Sequence, residues 1–308
     1  MQSTQLSREI VRGGMRLRLL LFIVASSGCA STYNARWLEP AAPASAVATA
    51  SDAARALVEE GDAAWKLRDD HSKLRESIAK WEGAAALWAN GDLYSRLSRA
   101  HYFLADAHLA LDKDPEPRDA EYTTSLEWAT RALKLQAPEF VSAIGGGASF
   151  HAAIQKAPKE SSEALLWYAS SLGKWAAARR FATRVKYKDE LKAVIDRVHA
   201  IDETQHGATN RWLGGYEAQT IGIGGGSSER SEAYFKKSLE LAPNFFGTKV
   251  LWAQFLCPKT RDRATYQRLL NEVIAGDPEL DPNNVAENKA DQKKAKQLLA
   301  DIDTMFSP

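Results

Sequence analysis

The sequence predicts an all-α protein, a single domain of stacked helix pairs that together form an α-α superhelix. Beyond Ser51, the residues Ala, Leu, Lys, Glu and Arg dominate, and no stretch alternates polar and apolar residues as a strand would. Apolar residues instead recur at helical spacing. One such stripe, with the spacing i, i+3, i+4, i+7 and i+8, consists of Tyr266, Leu269, Leu270, Val273 and Ile274.

Residues 1–28 are predicted to be a lipoprotein signal peptide. Arg12, Arg16 and Arg18 precede the apolar run 19–25, which leads into Ser26-Ser-Gly-Cys29. A charged region, a short apolar region and small residues before a cleavage site define such a peptide, and the run is far shorter than the ~20 residues that span a bilayer as a helix. Glycine directly before the cysteine is typical of a bacterial lipobox. Cys29 is therefore predicted to be lipidated and to become the mature N-terminus.

Two points of this N-terminal interpretation stay open. Ser26 stands where a lipobox usually carries leucine, and a plain secretory signal cut near Ala25 or Ala30 would leave a protein without a lipid. The start is open as well, because Met15 in place of Met1 would give the charged region an ordinary length.

Residues 29–50 are predicted to be a lipidated flexible tether that precedes a helical domain at 51–306. The stretch 38–50 is rich in Ala and Pro and has no large apolar side chain after Leu38. Such a segment cannot bury enough surface to order itself. In the domain, Ser51 and Asp52 can cap the first helix. The clearest helices are predicted at 51–68, 93–111, 122–135, 161–181 and 191–201.

Three segments of this domain have the pattern of degenerate tetratricopeptide-like repeats, in which each repeat is a pair of helices. They span 61–87, 94–138 and 212–243. The third is the clearest, because it carries the repeat's Leu213-Gly214 step and closes at Pro243. Stacked pairs of this kind bury one continuous core, so 51–306 is predicted to fold as one unit.

The residues after this third repeat are less generic. They run through Asn244-Phe-Phe-Gly-Thr-Lys-Val-Leu-Trp-Ala-Gln-Phe-Leu-Cys257, Asp281-Pro-Asn-Asn-Val-Ala-Glu-Asn288 and Ala295-Lys-Gln-Leu-Leu-Ala-Asp-Ile-Asp-Thr-Met-Phe306. This block resembles the T component of TRAP transporters associated with tetratricopeptide-like lipoproteins, the TatT family. Leu165-Leu-Trp-Tyr-Ala-Ser-Ser-Leu-Gly-Lys-Trp175 is similar to the aromatic helix of that family.

The resemblance implies a periplasmic lipoprotein that forms homotrimers around a central pore and binds the transporter's periplasmic solute-binding subunit. The implied ligand is apolar or an organic acid. The chain departs from the family pattern at Ser26, in the loop 144–148 and in the acidic turn 112–117.

Charge and composition exclude several other classes of protein. Forty basic and thirty-nine acidic residues leave a net charge of +1, which argues against a nucleic-acid partner. The glycine-rich segment 222–228 lacks the strand and lysine of a phosphate-binding loop. His101 and His108 lack a third metal ligand at helical spacing. Neither a cofactor nor a metal is expected, and Cys257 is expected to be a buried apolar residue.

The aromatic residues leave two interpretations open. Most of the nine tryptophans fall on inward faces and are expected to fill repeat cores. A subset beside the glycine-rich turns is predicted to line an apolar cleft for a hydrophobic ligand. This subset consists of Trp167, Tyr168, Trp175, Trp212 and Tyr216.

The expected function is a binding and scaffold subunit of a TRAP-type uptake system, anchored by lipid and facing the periplasm. Ala30 after the cysteine favours the outer membrane over the inner one. The alternative is a lipoprotein that scaffolds an envelope assembly or secretion complex. An enzyme is not expected, although Ser149 and His151 are the residues that a hydrolase would use.

Overall fold

A computed structural model describes residues 37, 39–43, 45–222 and 224–307. Apart from one isolated bridge between Val47 and Trp88, the regular structure of these residues is entirely helical. The all-α prediction is confirmed. The predicted signal peptide and Cys29 lie outside the described residues.

The α-helices follow one another with short connections. They are α1 Asp52–Trp65, α2 His71–Leu87, α3 Gly91–Phe103, α4 Glu116–Gln136, α5 Pro138–Gly145, α6 Phe150–Ile154, α7 Ser162–Ala177, α8 Phe181–Ile201, α9 His206–Gln219, α10 Ser228–Leu241, α11 Gly247–Leu251, α12 Cys257–Thr260, α13 Arg263–Ala275, α14 Val285–Ala300 and α15 Ile302–Met305. The described residues also contain two π-helical turns. Leu104–His108 extends α3, and Trp252–Leu256 joins α11 to α12.

Side-chain caps explain where many of these helices begin. In several helices a side chain accepts a hydrogen bond from a backbone N–H of the first turn. These caps include Ser51 at α1, Asp70 at α2, Asn90 at α3, Ser227 at α10 and Asp262 at α13. A cap of this type contributes about 1 kcal/mol because it satisfies an N–H that has no partner inside the helix.

The same serine contact recurs in all three repeat pairs. Ser77 of α2 donates to the carbonyl of Gly61 in α1 at 2.9 Å, and Ser231 of α10 donates to that of Gly214 in α9 at 2.7 Å. In the α3–α4 pair, Ser125 donates to the carbonyl of Ser98 at 2.7 Å. Each contact requires a small residue on the first helix, so that the two backbones can approach closely.

Aromatic rings fill the space that the two glycines leave. A Cβ on Gly61 would lie 2.4 Å from the ring of Trp81, and one on Gly214 would lie 2.8 Å from the ring of Phe235. Both aromatics stand four residues after the serine of their pair and are almost fully buried. The three predicted repeats therefore fold as helix pairs by one shared packing rule.

Several helix boundaries differ from the predicted ones. The predicted helix 161–181 ends at Ala177, and α8 begins at Phe181 rather than at Leu191. No glycine or proline marks the turn at 178–180, so the break depends on the packing of α7 against α8. The predicted helix 93–111 is α-helical only to Phe103 and continues as the π-helical turn.

The segment predicted to be a flexible tether contacts the domain at several of its described points. Trp37 is 5% exposed, and its ring centroid lies 5.2 Å from that of Phe140 and 5.6 Å from that of Tyr168. Val47 exchanges backbone hydrogen bonds with Leu87 and Ala89. The indole of Trp37 supplies apolar surface that the Ala- and Pro-rich stretch lacks.

The buried apolar residues form two clusters. The larger one runs from Trp37 through α2, α3, α4, α7 and α8, and the smaller one joins α10 to the helices that follow it. Among the described residues, no helix combines the length and the apolar character that crossing a membrane requires.

Candidate functional site

Helix α14 lies against the first half of the chain and closes a charged groove there. Glu287 in its first turn accepts hydrogen bonds from Arg68 at 2.5 Å and from Arg99 at 2.8 Å. Two turns later, Lys294 donates to Asp106 of the first π-helical turn. These pairs join residues up to 219 positions apart, so the groove exists only in the folded chain.

Asp106 is the centre of this groove. Its carboxylate accepts hydrogen bonds from Lys174 of α7 at 2.6 Å, from Lys294 of α14 and from the hydroxyl of Tyr122 at 3.0 Å. Burial by itself raises the pKa of this carboxyl, but Lys174 and Lys294 lower it well below its usual value. The side chain keeps 19% of its exposure, so the ionised carboxylate borders the open part of the groove.

Asp291 and Arg211 face each other beside this centre. Burial raises the pKa of Asp291 to about 6, against the opposing effect of Lys294, which lies 3.5 Å away. Burial also lowers the pKa of Arg211 to about 10, although Asp291 and Tyr102 act in the other direction. The guanidinium of Arg211 lies 4.2 Å from the ring centre of Phe245. Within the described part of the chain, that guanidinium has no hydrogen bond or close ion pair, and Asp291 acts on it only at longer range.

Aromatic rings form the wall of the groove on the side of α1 and α7. The guanidinium carbon of Arg68 lies 4.7 Å from the ring centre of Trp65, and that of Arg99 lies between Trp65 at 5.3 Å and Trp167 at 5.8 Å. Tyr102 continues this wall, with its ring 5.4 Å from that of Trp167. An open cavity of about 360 Å³ lies along the wall and is bordered by Trp65, Arg99 and residues of α1, α2, α3 and α7.

The charges of the groove do not balance. The five cations outnumber the three acids. Because the pKa of Asp291 is raised, its protonation removes further negative charge at mildly acidic pH. The cations are Arg68, Arg99, Lys174, Arg211 and Lys294, and the acids are Asp106, Glu287 and Asp291. A partly enclosed groove with an excess of cations and an aromatic wall favours an anion that carries an apolar body.

The five predicted cleft residues do not share one wall. Trp167 lies in the groove, whereas Tyr168 is fully buried, packs on Trp37 and donates to Glu190 at 2.6 Å. Successive residues of a helix point about 100° apart, which explains this division. Trp175 packs on Tyr187 of α8.

The other two predicted cleft residues lie on α9. The rings of Trp212 and Tyr216 stack on each other with their centroids 5.6 Å apart. Trp212 is partly buried against the larger apolar cluster. Arg211, its neighbour in sequence, is the residue of α9 that points towards Asp291 and Tyr102.

The remaining sequence candidates have structural roles. The hydroxyl oxygen of Ser149 accepts from Ala152 and caps α6. His101 is held by Glu121 at 2.6 Å and His108 by the carbonyl of Arg68 at 2.9 Å. Burial raises the pKa of the Cys257 thiol to about 12, as suits an inert buried residue.

Sequence reasoning missed the charged residues of the groove. One local signal was present, because Lys174 stands seven residues after Trp167 and therefore on the same face of α7. The partners of Lys174 come from the π-helical turn and from α14, and no local pattern connects those segments. Arg211 is adjacent to the predicted Trp212, but no local pattern distinguishes it from other charged residues.

Two thirds of the chain match the model of one known protein family. Residues 103–306, which are 204 of the 308 residues, match the family model described as TAtT, TRAP transporter T-component. No curated protein matches the chain. The matched span includes Asp106, Lys174, Arg211 and Lys294 of the groove, while the aromatic wall of α1 lies before it.

Proposed function

The chain belongs to the TRAP transporter T-component family, and we propose that it serves such a transporter as a periplasm-facing lipoprotein that docks the solute-binding subunit. A T component is an accessory subunit of the transporter and is associated with the cell envelope. In the proposal, Cys29 carries the lipid, the outer membrane holds it, and the working form is a homotrimer. The subunit binds and positions rather than catalyses.

The groove is the proposed ligand site of this subunit. The observation that supports it most directly is the guanidinium of Arg211, which has no hydrogen bond or close ion pair within the described chain and lies near Tyr102, whose ring centre is 6.0 Å from the amino group of Lys174. A carboxylate placed there would gain charge-assisted hydrogen bonds, which are roughly twice as strong as neutral ones. The rings of Trp65 and Trp167 would cover the apolar body of the same molecule. Of the two expected ligand classes, the groove therefore favours an organic acid over a purely apolar compound.

The docking role is tested by affinity purification of the tagged full chain from detergent-solubilised membranes of its own cell. We expect a TRAP-type solute-binding protein to co-purify, and we expect a trimer by native mass spectrometry. Recovery of outer-membrane assembly or secretion proteins without a solute-binding protein would instead support the scaffold alternative. A monomer that ignores the solute-binding protein at micromolar concentration would refute the proposal.

The ligand role is tested by isothermal titration with a matched set of probes. Hexanoate and phenylpropanoate should bind more tightly than the corresponding alcohols and amines, because only the acids engage the cations of the groove. Equal binding of the alcohols would show that the groove recognises apolar surface alone.

A further inference from the structure

The corner between α7 and α8 exposes a group of basic and apolar side chains that the groove does not use. Residues 179–188 contain five Lys or Arg and no acid before Asp189, in a chain whose net charge is +1. Phe181 is 52% exposed and Val185 is 40% exposed. These two residues stand four apart in the first turns of α8 and therefore lie on the same face of the helix.

Arginines accompany the apolar pair on this corner. Arg180 and Arg184 are both exposed, and the guanidinium carbon of Arg184 lies 5.5 Å from the ring centre of Phe181. An exposed aromatic and a β-branched residue with cations at their side are typical of a surface that lies at a lipid interface. Because residues 179–188 contain no acid, their charge complements an anionic surface rather than a neutral one.

The N-terminal segment is held on the face of α7 that leads to this corner. Trp37 packs on Tyr168, and Trp175 stands seven residues further along the same face of α7. The rise of an α-helix places these two positions about 10 Å apart. Trp175 in turn packs on Tyr187 of α8 and lies under the guanidinium of Arg179, 3.6 Å from its ring centre.

The length of chain before Trp37 limits how far this face can be from a membrane. Trp37 stands eight residues after Cys29. Eight residues span at most about 28 Å when fully extended. A lipid on Cys29 therefore keeps Trp37 within about 28 Å of the bilayer, and the neighbouring end of α7 at most about 10 Å further away.

We propose that the corner formed by Arg180, Phe181, Arg184 and Val185 is a membrane-contact surface that binds anionic phospholipid headgroups. The two arginines engage the phosphates, and Phe181 and Val185 enter the boundary between headgroups and acyl chains. The contact fixes the orientation of the domain on the membrane that anchors it. This inference rests on the lipidation of Cys29 in the proposed function.

The test uses the full lipidated chain with an environment-sensitive fluorophore on Ala182→Cys, reconstituted into phosphatidylcholine vesicles with or without phosphatidylglycerol. Ala264→Cys is the matched control, because Ala264 is also exposed in the first turn of a helix and has Arg261 and Arg263 beside it. Cys257 is buried and should stay unlabelled. We expect a blue shift and quenching by spin-labelled lipid at position 182 only, and only with phosphatidylglycerol.

The double variant Arg180→Glu/Arg184→Glu should abolish this signal without moving the protein off the vesicles. Identical spectra at positions 182 and 264 in vesicle-bound protein would overturn the proposal while leaving lipid anchoring intact. Failure of the full chain to float with vesicles would overturn both. A blue shift that requires the solute-binding protein and no anionic lipid would identify the corner as a protein-docking surface and would also overturn the proposal.

Discussion

The α9–α10 repeat pair and the charged groove differ in how their residues are distributed along the chain. The contacts of the pair join residues about 17 to 31 positions apart through small, polar and aromatic side chains. The long-range ion pairs of the groove join residues 68 to 219 positions apart. The comparison indicates that the repeats build the scaffold, whereas the return of α14 across the first helices creates the charged groove.

The largest effect is expected from a change inside the repeat pair. Phe235→Ala removes a fully buried ring that fills the space over Gly214 and stacks on Trp252 at 5.8 Å. We expect a loss of about 3–5 kcal/mol in the free energy of unfolding, measured by urea denaturation. Affinity for the carboxylate probes should stay within twofold of the original protein under folding conditions. A large loss of affinity in the folded variant would show that the repeat pair also contributes to ligand binding, which contradicts the division between scaffold and site.

A somewhat smaller loss of stability is expected at the centre of the groove. Asp106→Asn leaves Lys174 and Lys294 close together without their shared carboxylate. We expect a loss of about 2–4 kcal/mol, since removing one partner of a partly buried ion network leaves the other charges uncompensated.

The matched control for this change is Asp303→Asn, whose carboxylate is 87% exposed and pairs with Arg263. It should cost less than about 0.5 kcal/mol. Equal effects of the two substitutions would mean that the groove is an ordinary solvated surface.

The sequence predicted the scaffold far better than the site, for the same reason that separates these two regions. The Leu213-Gly214 step and the closing Pro243 are local features of the sequence, so they identified the repeat pair. Asp106 lies in a π-helical turn, which an α-helical pattern does not show, and the nearness of Lys294 to it depends on the path of the whole chain. Only Trp167 belonged to both the predicted cleft and the observed groove.

A third effect should separate binding from stability. Arg211→Gln removes the guanidinium that has no ion pair in the described chain, so it should change the free energy of unfolding by less than about 1 kcal/mol. We expect carboxylate affinity to fall about 10-fold to 100-fold, as is usual for the loss of a charge-assisted hydrogen bond. Arg263→Gln, at an exposed ion pair of α13, should leave that affinity unchanged when both are measured by isothermal titration.

The smallest effect is a dependence of binding on pH. The pKa of Asp291 is raised to about 6, so lowering the pH from 7.5 to 5.5 removes a negative charge beside Arg211 and Lys294. Carboxylate affinity should rise about threefold to tenfold over that range. Asp291→Asn should bind tightly at both pH values, and an unchanged pH profile in that variant would assign the effect to another group.

Asp291 also makes the free energy of unfolding depend on pH. A carboxyl whose pKa is higher in the folded state binds its proton more tightly there. Its stabilisation is therefore complete below its ordinary pKa of 3.8 and is lost as the pH rises through about 6. Asp106 acts in the opposite direction, because its pKa is lowered in the folded state and its contribution is lost on acidification.

The measurement that tests the groove most directly is native mass spectrometry of the protein purified from its own membranes, followed by denaturation and identification of the released small molecules. We expect an organic acid to be released from the original protein and from Arg263→Gln, and to be absent from folded Arg211→Gln. Release of the same acid in equal amount from Arg211→Gln, or of a neutral apolar compound from all three proteins, would show that the charged groove is not the ligand site.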